Sequence, residues 1–430
     1  MICRYLLASL KMDAILEGET TYQRHRVLHS ITGSGLKDAY DATLDRIREQ
    51  GGRESRLGLN ALMWISHSER PLGSEELCHA LAIELGAYEI NPNNIPAIGN
   101  VLPSTLGLVT IDKKASTVHL IHPTLREYLL QLAPFATTHS MMAEICLTYL
   151  NCRSIQALRL EPDNVLETSP FLEYATCFWG THATKRLTER AQLLALLLLN
   201  KYENHVSAAV FWRKKVRNEY DEAGDVEGIT GLHCIAFWGI PEIASLMLKT
   251  HGPQLNRCDS MGRTPLIWAV EYERTEVVNL FLNQGAIEPG MHQMVFSFAS
   301  WVGDEGAVKM LLEHDDVNPN SPDSKGRTPI LLATMGGHKG VVRLLLEQKN
   351  VNPDSPDSNG RTPLSLASWR GNGGIVKLLL ERKDVNPHSS DHNGRTPLSF
   401  ASMEGHEGVM KRPSVRKRPV RPVHGSSQTA

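Results

Sequence analysis

The chain has 430 residues, of which 41% are hydrophobic and 21% are charged, as in ordinary globular proteins. That length corresponds to roughly two to four domains. The formal net charge of −2 favours no particular class of charged partner. The chain has no run of about 20 apolar residues and no secretory leader, so we expect a cytosolic protein without a membrane span. Seven scattered cysteines without a Cys-x-x-Cys pair argue against a disulfide or zinc framework.

The first compact unit is predicted at residues 51–132. An amphipathic helix is expected from Arg56 to Ser66, with Leu, Ala, Trp and Ile on its apolar face. A second helix should begin at Ser74, which offers an N-cap followed by two glutamates in the first turn. A third is expected between Ile95 and Leu106. The order of these helices indicates a fold only when the segment that follows them is taken into account.

A β-hairpin is predicted next, because Gly107–Ile111 and Thr117–Ile121 alternate in hydrophobicity around a polar turn. The run Thr124-Leu125-Arg126-Glu127 has the form of a capping box and should start another helix. His119 and His122 would face opposite sides of a strand, so we expect no metal there and interpret His122 as structural, beside the Thr124 cap.

Three helices followed by a hairpin is the order of a winged helix. The residues Ala61–Leu72, Glu76–Leu81, Leu106–Val109 and Leu120–Leu129 closely resemble the winged helix that follows the NACHT nucleotide-binding domain in fungal NACHT–ankyrin proteins. This winged helix is also named after a GPI inositol-deacylase. The stretch from Phe171 to about Asn204 resembles the helical connector of that family, which would occupy residues 133–227 here.

The resemblance implies a signalling NTPase of the NOD-like receptor type, but the motifs of catalysis are missing. The chain contains no Gly-x-x-x-x-Gly-Lys-[Ser/Thr] loop and no Gly-Lys pair at all, so no nucleotide cofactor is expected. It also lacks a Gly-x-Ser-x-Gly elbow, so the esterase name carries no activity over. Residues 1–50 are interpreted as the helical remnant of a lost upstream domain. We therefore predict no catalytic residue, no metal and no enzyme.

Nucleic-acid binding by the winged helix is not expected. The predicted third helix carries no Lys or Arg between Asn94 and Leu106, and the second carries Glu75, Glu76 and Glu84. A surface that binds phosphates needs cations.

A repeat dominates the C-terminal part of the chain. The sequence Gly-Arg-Thr-Pro begins at Gly262, Gly326, Gly360 and Gly394, at intervals of 64, 34 and 34 residues. Degenerate copies at Gly228 and between Met291 and Ser300 bring the number to six, the last incomplete, over residues 228–411. In each full copy Thr can N-cap a helix and Pro suits its first position. An Ala in mid-helix allows close packing, and a Gly ends the helix in a left-handed turn.

This pattern resembles the ankyrin repeat, whose units bury their apolar faces only by stacking. The predicted fold is therefore mainly α: a small winged-helix unit with a β-hairpin, a helical connector and an ankyrin-repeat solenoid. Two irregularities are expected. Glu273 stands where other copies have Gly, which predicts a different turn in repeat two. Pro413 should stop the last helix, so the array looks truncated, ahead of a basic disordered tail at residues 412–430.

In ankyrin proteins the concave face is built from hairpin tips and first helices, and the residue two places after the mid-helix Ala often contacts the partner. The corresponding column begins with Phe237 and Glu271 and continues with alternating Trp and Met. The candidate protein-binding residues are Trp301, Met335, Trp369, Met403, Arg327, Arg361, Lys325, Asn359 and Asn393. Instead of contacting a partner, the Trp and Met side chains of the column could pack against neighbouring repeats. The arginines could have a structural role in the hairpin.

The sequence thus predicts a non-catalytic adaptor that binds a protein partner, with no small-molecule substrate and no membrane. One alternative is a regulatory fragment acting with a separate NACHT chain. The other is a nuclear or nucleic-acid-associated ankyrin protein, because the tail is basic and contains no acid. Its cations are Lys411, Arg412, Arg416, Lys417, Arg418 and Arg421.

Overall fold

The computed structural model describes residues 35–132, 137–158, 165–216, 227–284, 287–288 and 290–410. The predicted basic tail and most of the predicted N-terminal remnant lie outside these residues, as does Pro413. The chain divides into two compact units between Gly231 and Leu232. None of the helices in the described ranges has both the length and the hydrophobicity that crossing a lipid bilayer requires.

The first unit is mainly helical and contains one small sheet, as predicted. Its elements in chain order are α1 Leu36–Glu49, α2 Gly52–His67, β1 Leu72–Gly73, α3 Ser74–Ala82, α4 Ile98–Ser104, β2 Val109–Asp112, β3 Thr117–Leu120, α5 Pro123–Leu130, α6 Thr138–Leu150, α7 Arg153–Gln156, α8 Val165–Thr168, α9 Leu172–Lys185, α10 Glu189–Leu199 and α11 Val206–Phe211. Short 3₁₀ turns lie at Pro92–Asn94 and Tyr202–Asn204, and a π turn at Trp212–Val216.

The sheet has three antiparallel strands in the order β1-β3-β2. Strands β2 and β3 form the predicted hairpin, with Val109 opposite Leu120 and Asp112 opposite Thr117. Strand β1 was not predicted, because two residues, Leu72 and Gly73, are too few for an alternating pattern. Helices α2, α3 and α4 precede the hairpin, so the elements follow the winged-helix order expected from the sequence.

Two helices of this unit begin differently from the prediction. The N-cap of α3 is Gly73, one residue before Ser74, and the Glu76 carboxylate accepts the Gly73 N–H at 2.8 Å. The predicted capping box at Thr124 is wrong. The N-cap of α5 is His122, whose Nδ1 accepts the Thr124 N–H at 3.2 Å, and Pro123 takes the first helical position. A structural role for His122 is therefore confirmed.

Aromatic side chains join α2 to α9 in the core of the first unit. Trp64 lies edge-on to Phe171 and Tyr174, with ring centroids 5.4 and 5.8 Å apart. All three side chains are almost completely buried. Pairs of this geometry contribute about 0.5–1.5 kcal/mol each beyond the area they bury.

The second unit is a row of helix pairs. Its helices, two per repeat and beginning at the boundary residue Gly231, are α12 Gly231–Trp238, α13 Pro241–His251, α14 Pro265–Glu271, α15 Thr275–Leu282, α16 Met291–Val302, α17 Glu305–Leu311, α18 Pro329–Gly336, α19 Lys339–Glu347, α20 Pro363–Trp369, α21 Gly373–Glu381, α22 Pro397–Met403 and α23 Glu407–Met410. A 3₁₀ turn follows α13 at Gly252–Asn256. In repeats two to six, the first helices of successive repeats pack on one another.

The first helices begin as the sequence predicts. Thr264, Thr362 and Thr396 are N-caps whose hydroxyls each accept the N–H three residues later at 3.3 Å, and Pro occupies the first position. Thr328 is also an N-cap but makes no such bond. The mid-helix alanines are fully buried, which lets adjacent repeats approach closely. These are Ala269, Ala299, Ala333, Ala367 and Ala401.

Repeat two turns in the same way as its neighbours, contrary to the prediction. Glu273 has φ +56°, close to the +82° of Gly337. The reason is the hydrogen bond that closes the turn: Arg274 N–H donates to Ala269 O at 2.8 Å, as His338 N–H does to Ala333 O at 3.0 Å. The stack therefore holds a glutamate in a conformation that costs a non-glycine residue about 1–2 kcal/mol.

Replacing that glutamate should stabilise the protein. We expect Glu273→Gly to raise the free energy of unfolding by about 1 kcal/mol, because glycine adopts positive φ without strain. The change also removes a repulsion of Asp304, whose pKa is raised first by burial and then by Glu273. Chemical denaturation measures the difference. The matched control Gly337→Ala should lower stability, and a destabilising Glu273→Gly would contradict the account.

Candidate functional site

An aspartate organises the hairpin loop that precedes the first helix in repeats two, four, five and six. In repeat five, Asp357 Oδ1 accepts the N–H groups of Asn359 and Arg361, both at 2.9 Å. Its Oδ2 accepts from Arg361 Nε at 2.8 Å. One side chain thus closes the loop and fixes the guanidinium. We call this arrangement the hairpin clamp. It recurs with the pairs Asp259–Arg263, Asp323–Arg327 and Asp391–Arg395.

The clamp keeps its aspartate ionised. Burial alone would raise the pKa of Asp357, but the hydrogen bonds from Arg361 and from the backbone N–H groups outweigh it and hold the pKa below its ordinary value. The same balance of causes lowers the pKa of Asp323 and of Asp391. A charged carboxylate with this many donors is a strong local constraint.

The predicted hairpin-tip residues are exposed beside the clamps. Lys325, Asn359 and Asn393 each donate their N–H to the clamp aspartate of their own repeat, at 2.8–3.0 Å. Their carbonyls join successive tips: Lys325 O accepts from Ser358 N–H and Asn359 O from His392 N–H, both at 3.0 Å. The backbone of these three residues is therefore fixed in a row, and their side chains face solvent.

The predicted arginines hold the hairpins together. Arg327 Nη2 lies 2.6 Å from Asp323 Oδ2, and Arg361 Nη2 lies 2.7 Å from Asp357 Oδ2. Each guanidinium is about a quarter exposed. Their geometry favours the structural alternative left open by the sequence, with only the outer edge of each group available to a partner.

The predicted column lies on the first helices of successive repeats. Trp301, Trp369 and Met403 are 50%, 40% and 64% exposed, which is high for such large apolar side chains. Met335 is half-buried between them. At the same position in repeat two, Glu271 accepts from Arg263 Nη1 at 3.0 Å. The apolar part of the column therefore spans repeats three to six.

The tryptophans are held in place by their neighbours. Trp369 Nε1 donates to Glu404 Oε1 at 3.1 Å, and the Trp369 carbonyl lies 3.0 Å from His406 Nε2. The Trp301 ring packs against Phe298 with centroids 5.8 Å apart. A fixed aromatic ring loses little freedom when a partner covers it, which favours its use as an anchor.

Repeat three interrupts the row of hairpins, which the sequence analysis did not foresee. Its first helix, α16, begins at Met291 after the left-handed Gly290, and the sequence has Pro289 where repeat four has the clamp aspartate Asp323. In the 34-residue register Met291 stands where repeat four has the tip residue Lys325. The signal was the 64-residue interval without Gly-Arg-Thr-Pro. Met261 and Met294 are also exposed near this interruption.

A second polar cluster lies in the first unit and is internally satisfied. His139 Nδ1 and His182 Nδ1 are 2.9 Å apart, and Tyr174 Oη lies 3.0 Å from His182 Nε2. Lys185 Nζ binds Glu69 Oε1 at 2.5 Å. Burial, then the neighbouring His139 and Lys185, lowers the pKa of His182 to about 3, so its ring is neutral at pH 7. These residues come from three separate elements, which is why no sequence pattern revealed them.

Comparison with known families supports both halves of this description. Residues 188–291 and 296–391 match a family model described as ankyrin repeats (3 copies). Residues 46–143 match the model of the GPI inositol-deacylase winged helix domain. No curated protein matches the chain. The protein therefore carries ankyrin repeats C-terminal to a winged-helix domain of the GPI inositol-deacylase type in the sequence.

The hairpin clamp should contribute measurably to stability. We expect Asp357→Asn to lower the free energy of unfolding by about 2 kcal/mol at pH 7, because the substitution removes the charge that its donors stabilise. The pKa of Asp357 is lower in the folded than in the unfolded protein. Its stabilisation is thus present above about pH 4 and is lost as the pH falls through the folded value.

A second ion-paired aspartate in the same repeat provides the control. Asp384 binds Arg382 through both oxygens, at 3.0 and 2.7 Å, but is half exposed. Asp384→Asn should therefore cost less than about 0.5 kcal/mol. Equal losses for the two variants in urea denaturation, or a difference between wild type and Asp357→Asn that does not shrink in acid, would contradict the clamp.

Proposed function

We propose that this protein is a non-catalytic adaptor that holds a protein partner against the first helices of repeats three to six. Ankyrin repeats generally mediate protein–protein interaction. The observation that carries the proposal is the exposure of Trp301, Trp369 and Met403 at equivalent positions of stacked helices. The exposed tips Lys325 and Asn359 belong to the same repeats and would form the polar edge of the interface.

The chemistry of the column indicates what kind of partner it suits. Tryptophans that become buried at an interface contribute about 2 kcal/mol or more each, and methionine adapts to irregular apolar surfaces. The hairpin tips add an ammonium at Lys325 and side-chain amides at Asn359 and Asn393. We infer a partner that presents an apolar ridge flanked by hydrogen-bonding or acidic groups.

Alanine substitutions test the column. Each of Trp301→Ala and Trp369→Ala should weaken the complex about 30-fold, as the loss of about 2 kcal/mol requires. Partners would be captured from cells with the full-length chain, identified, and then titrated against each purified variant by calorimetry. Thermal unfolding checks that each variant stays folded; the Tm should fall only slightly, because about half of each tryptophan side chain is exposed already.

The chain offers a matched aromatic control in its other unit. Tyr88 is 77% exposed, and Tyr88→Ala removes a comparable ring from the winged-helix region. Affinity should not change in this variant. If both tryptophan variants bind the captured partner as tightly as the wild type while Tyr88→Ala weakens binding, the partner uses the winged-helix region and the proposal is wrong.

The winged-helix domain leaves room for a second candidate, which rests on the resemblance described above: a regulatory fragment, derived from a NACHT-type receptor, that acts with a separate NACHT chain. A surface cleft of about 340 Å³ lies against the hairpin and is lined by residues that include Ile65, His119, His122 and Arg126. Under this second candidate, part of the NACHT chain would bind in the cleft.

An assay of ATP hydrolysis distinguishes an enzyme from both candidate functions. We expect the purified chain not to hydrolyse ATP, because its sequence contains no Gly-Lys pair to cradle phosphates. Phosphate release would be followed with increasing protein concentration. A rate that rises in proportion to the concentration of homogeneous protein would overturn the non-catalytic assignment, whereas turnover only after a NACHT chain is added would favour the second candidate.

A further inference from the structure

The early start of α16 brings a histidine to the loop that follows the second helix of its own repeat. His292 lies in the first turn of α16, and the loop after α17 carries His314 and Asp316. In repeat four the matching loop positions hold Gln348 and Asn350. In repeat five they hold Arg382 and Asp384, which bind each other. Repeat three therefore has the imidazole of His314 where repeats four and five have an amide or a guanidinium.

The three side chains converge. His292 Nδ1 lies 2.7 Å from Asp316 Oδ2, and the rings of His292 and His314 have centroids 4.6 Å apart. One possible ligand atom from each residue lies within 4.8 Å of the other two. Two atoms that bind one ion at about 2.0–2.2 Å each are at most about 4.4 Å apart, so small side-chain rotations would bring all three within reach of one ion.

The hydrogen bonds within this cluster leave a polar atom unsatisfied. His292 is 16% exposed, and its Nε2 is buried without a hydrogen-bond partner. By contrast, both nitrogens of His182 in the buried cluster of the first unit have partners. A buried nitrogen without a hydrogen-bond partner is unfavourable in a folded protein.

The local charge favours a cation. Glu313, Asp315 and Asp316 lie within four residues of one another, and among the described residues no Lys or Arg forms an ion pair with Asp316. The corresponding Asp384 has its own guanidinium partner at 2.7 Å. Glu69 beside the buried histidines likewise has Lys185 at 2.5 Å. Of Asp316, Asp384 and Glu69, only Asp316 has an imidazole in place of a Lys or Arg side chain as its ion-pair partner among the described residues.

We propose that His292, His314 and Asp316 bind a Zn²⁺ ion, with solvent completing the coordination. Two imidazoles and one carboxylate are ligands that Zn²⁺ prefers, and the partial exposure of the cluster gives the ion access. The ion would tie the start of α16 to the loop after α17. It would thereby constrain the start of the first helix in a repeat whose sequence has no clamp aspartate.

Zinc titration of the full-length chain tests the site. The variants are His314→Gln and Asp316→Asn, which introduce the residues that repeat four carries at the same positions and so suit the fold. Calorimetry should show about one Zn²⁺ bound per wild-type chain and at least about tenfold weaker binding to each variant. Zinc should also raise the Tm of the wild type and leave that of the variants unchanged.

Two further variants make the result decisive. His388→Gln removes an exposed histidine from the corresponding loop region of repeat five and should bind Zn²⁺ like the wild type. His139→Gln alters the buried cluster of the first unit and should also leave zinc affinity unchanged. The proposal is overturned if the wild type binds no Zn²⁺, if binding survives in both His314→Gln and Asp316→Asn, or if it is lost in His139→Gln.

Discussion

One carboxylate in each hairpin fixes the surface on which the proposed function depends. The clamp aspartate accepts two backbone N–H groups and a guanidinium, so the loop, the tip residue and the start of the first helix become a single rigid piece. Backbone bonds between Lys325 and Ser358, and between Asn359 and His392, then join one piece to the next. The tips form an ordered row because the clamps are repeated.

The repeated helix geometry also places buried and exposed residues on opposite sides of each first helix. Two residues along a helix correspond to a rotation of about 200°, so a buried alanine and the residue two places later point in nearly opposite directions. Ala299 and Ala367 are completely buried, while Trp301 and Trp369 are half exposed. Stacking thus fixes the spacing of the tryptophans. Repeat three departs from the pattern only before this pair, where an early helix replaces the hairpin and assembles the histidine–aspartate cluster.

The sequence predicted features that depend on local chemistry. Thr-Pro helix starts and glycine turns recur at a fixed spacing, so the repeat helices and the β2–β3 hairpin could be predicted. Features that depend on tertiary contacts could not be predicted from the sequence. Glu273 takes the glycine conformation because the hydrogen bond of its turn persists, and His122 takes the cap expected of Thr124. The cluster of His139 with His182 joins distant segments. The candidate column needed the structure to show which of its members are exposed, because Met335 and Trp369 carry equally apolar side chains.

The central claim is that the first helices and hairpin tips, rather than the second helices or the winged helix, contact the partner. Hydrogen–deuterium exchange of the full-length chain, alone and with a captured partner, tests it most directly. We expect slower exchange on binding in residues 323–337 and 357–371, with little change in α19, α21 and the winged helix. Protection confined to the second helices or to residues 52–130 would contradict the account.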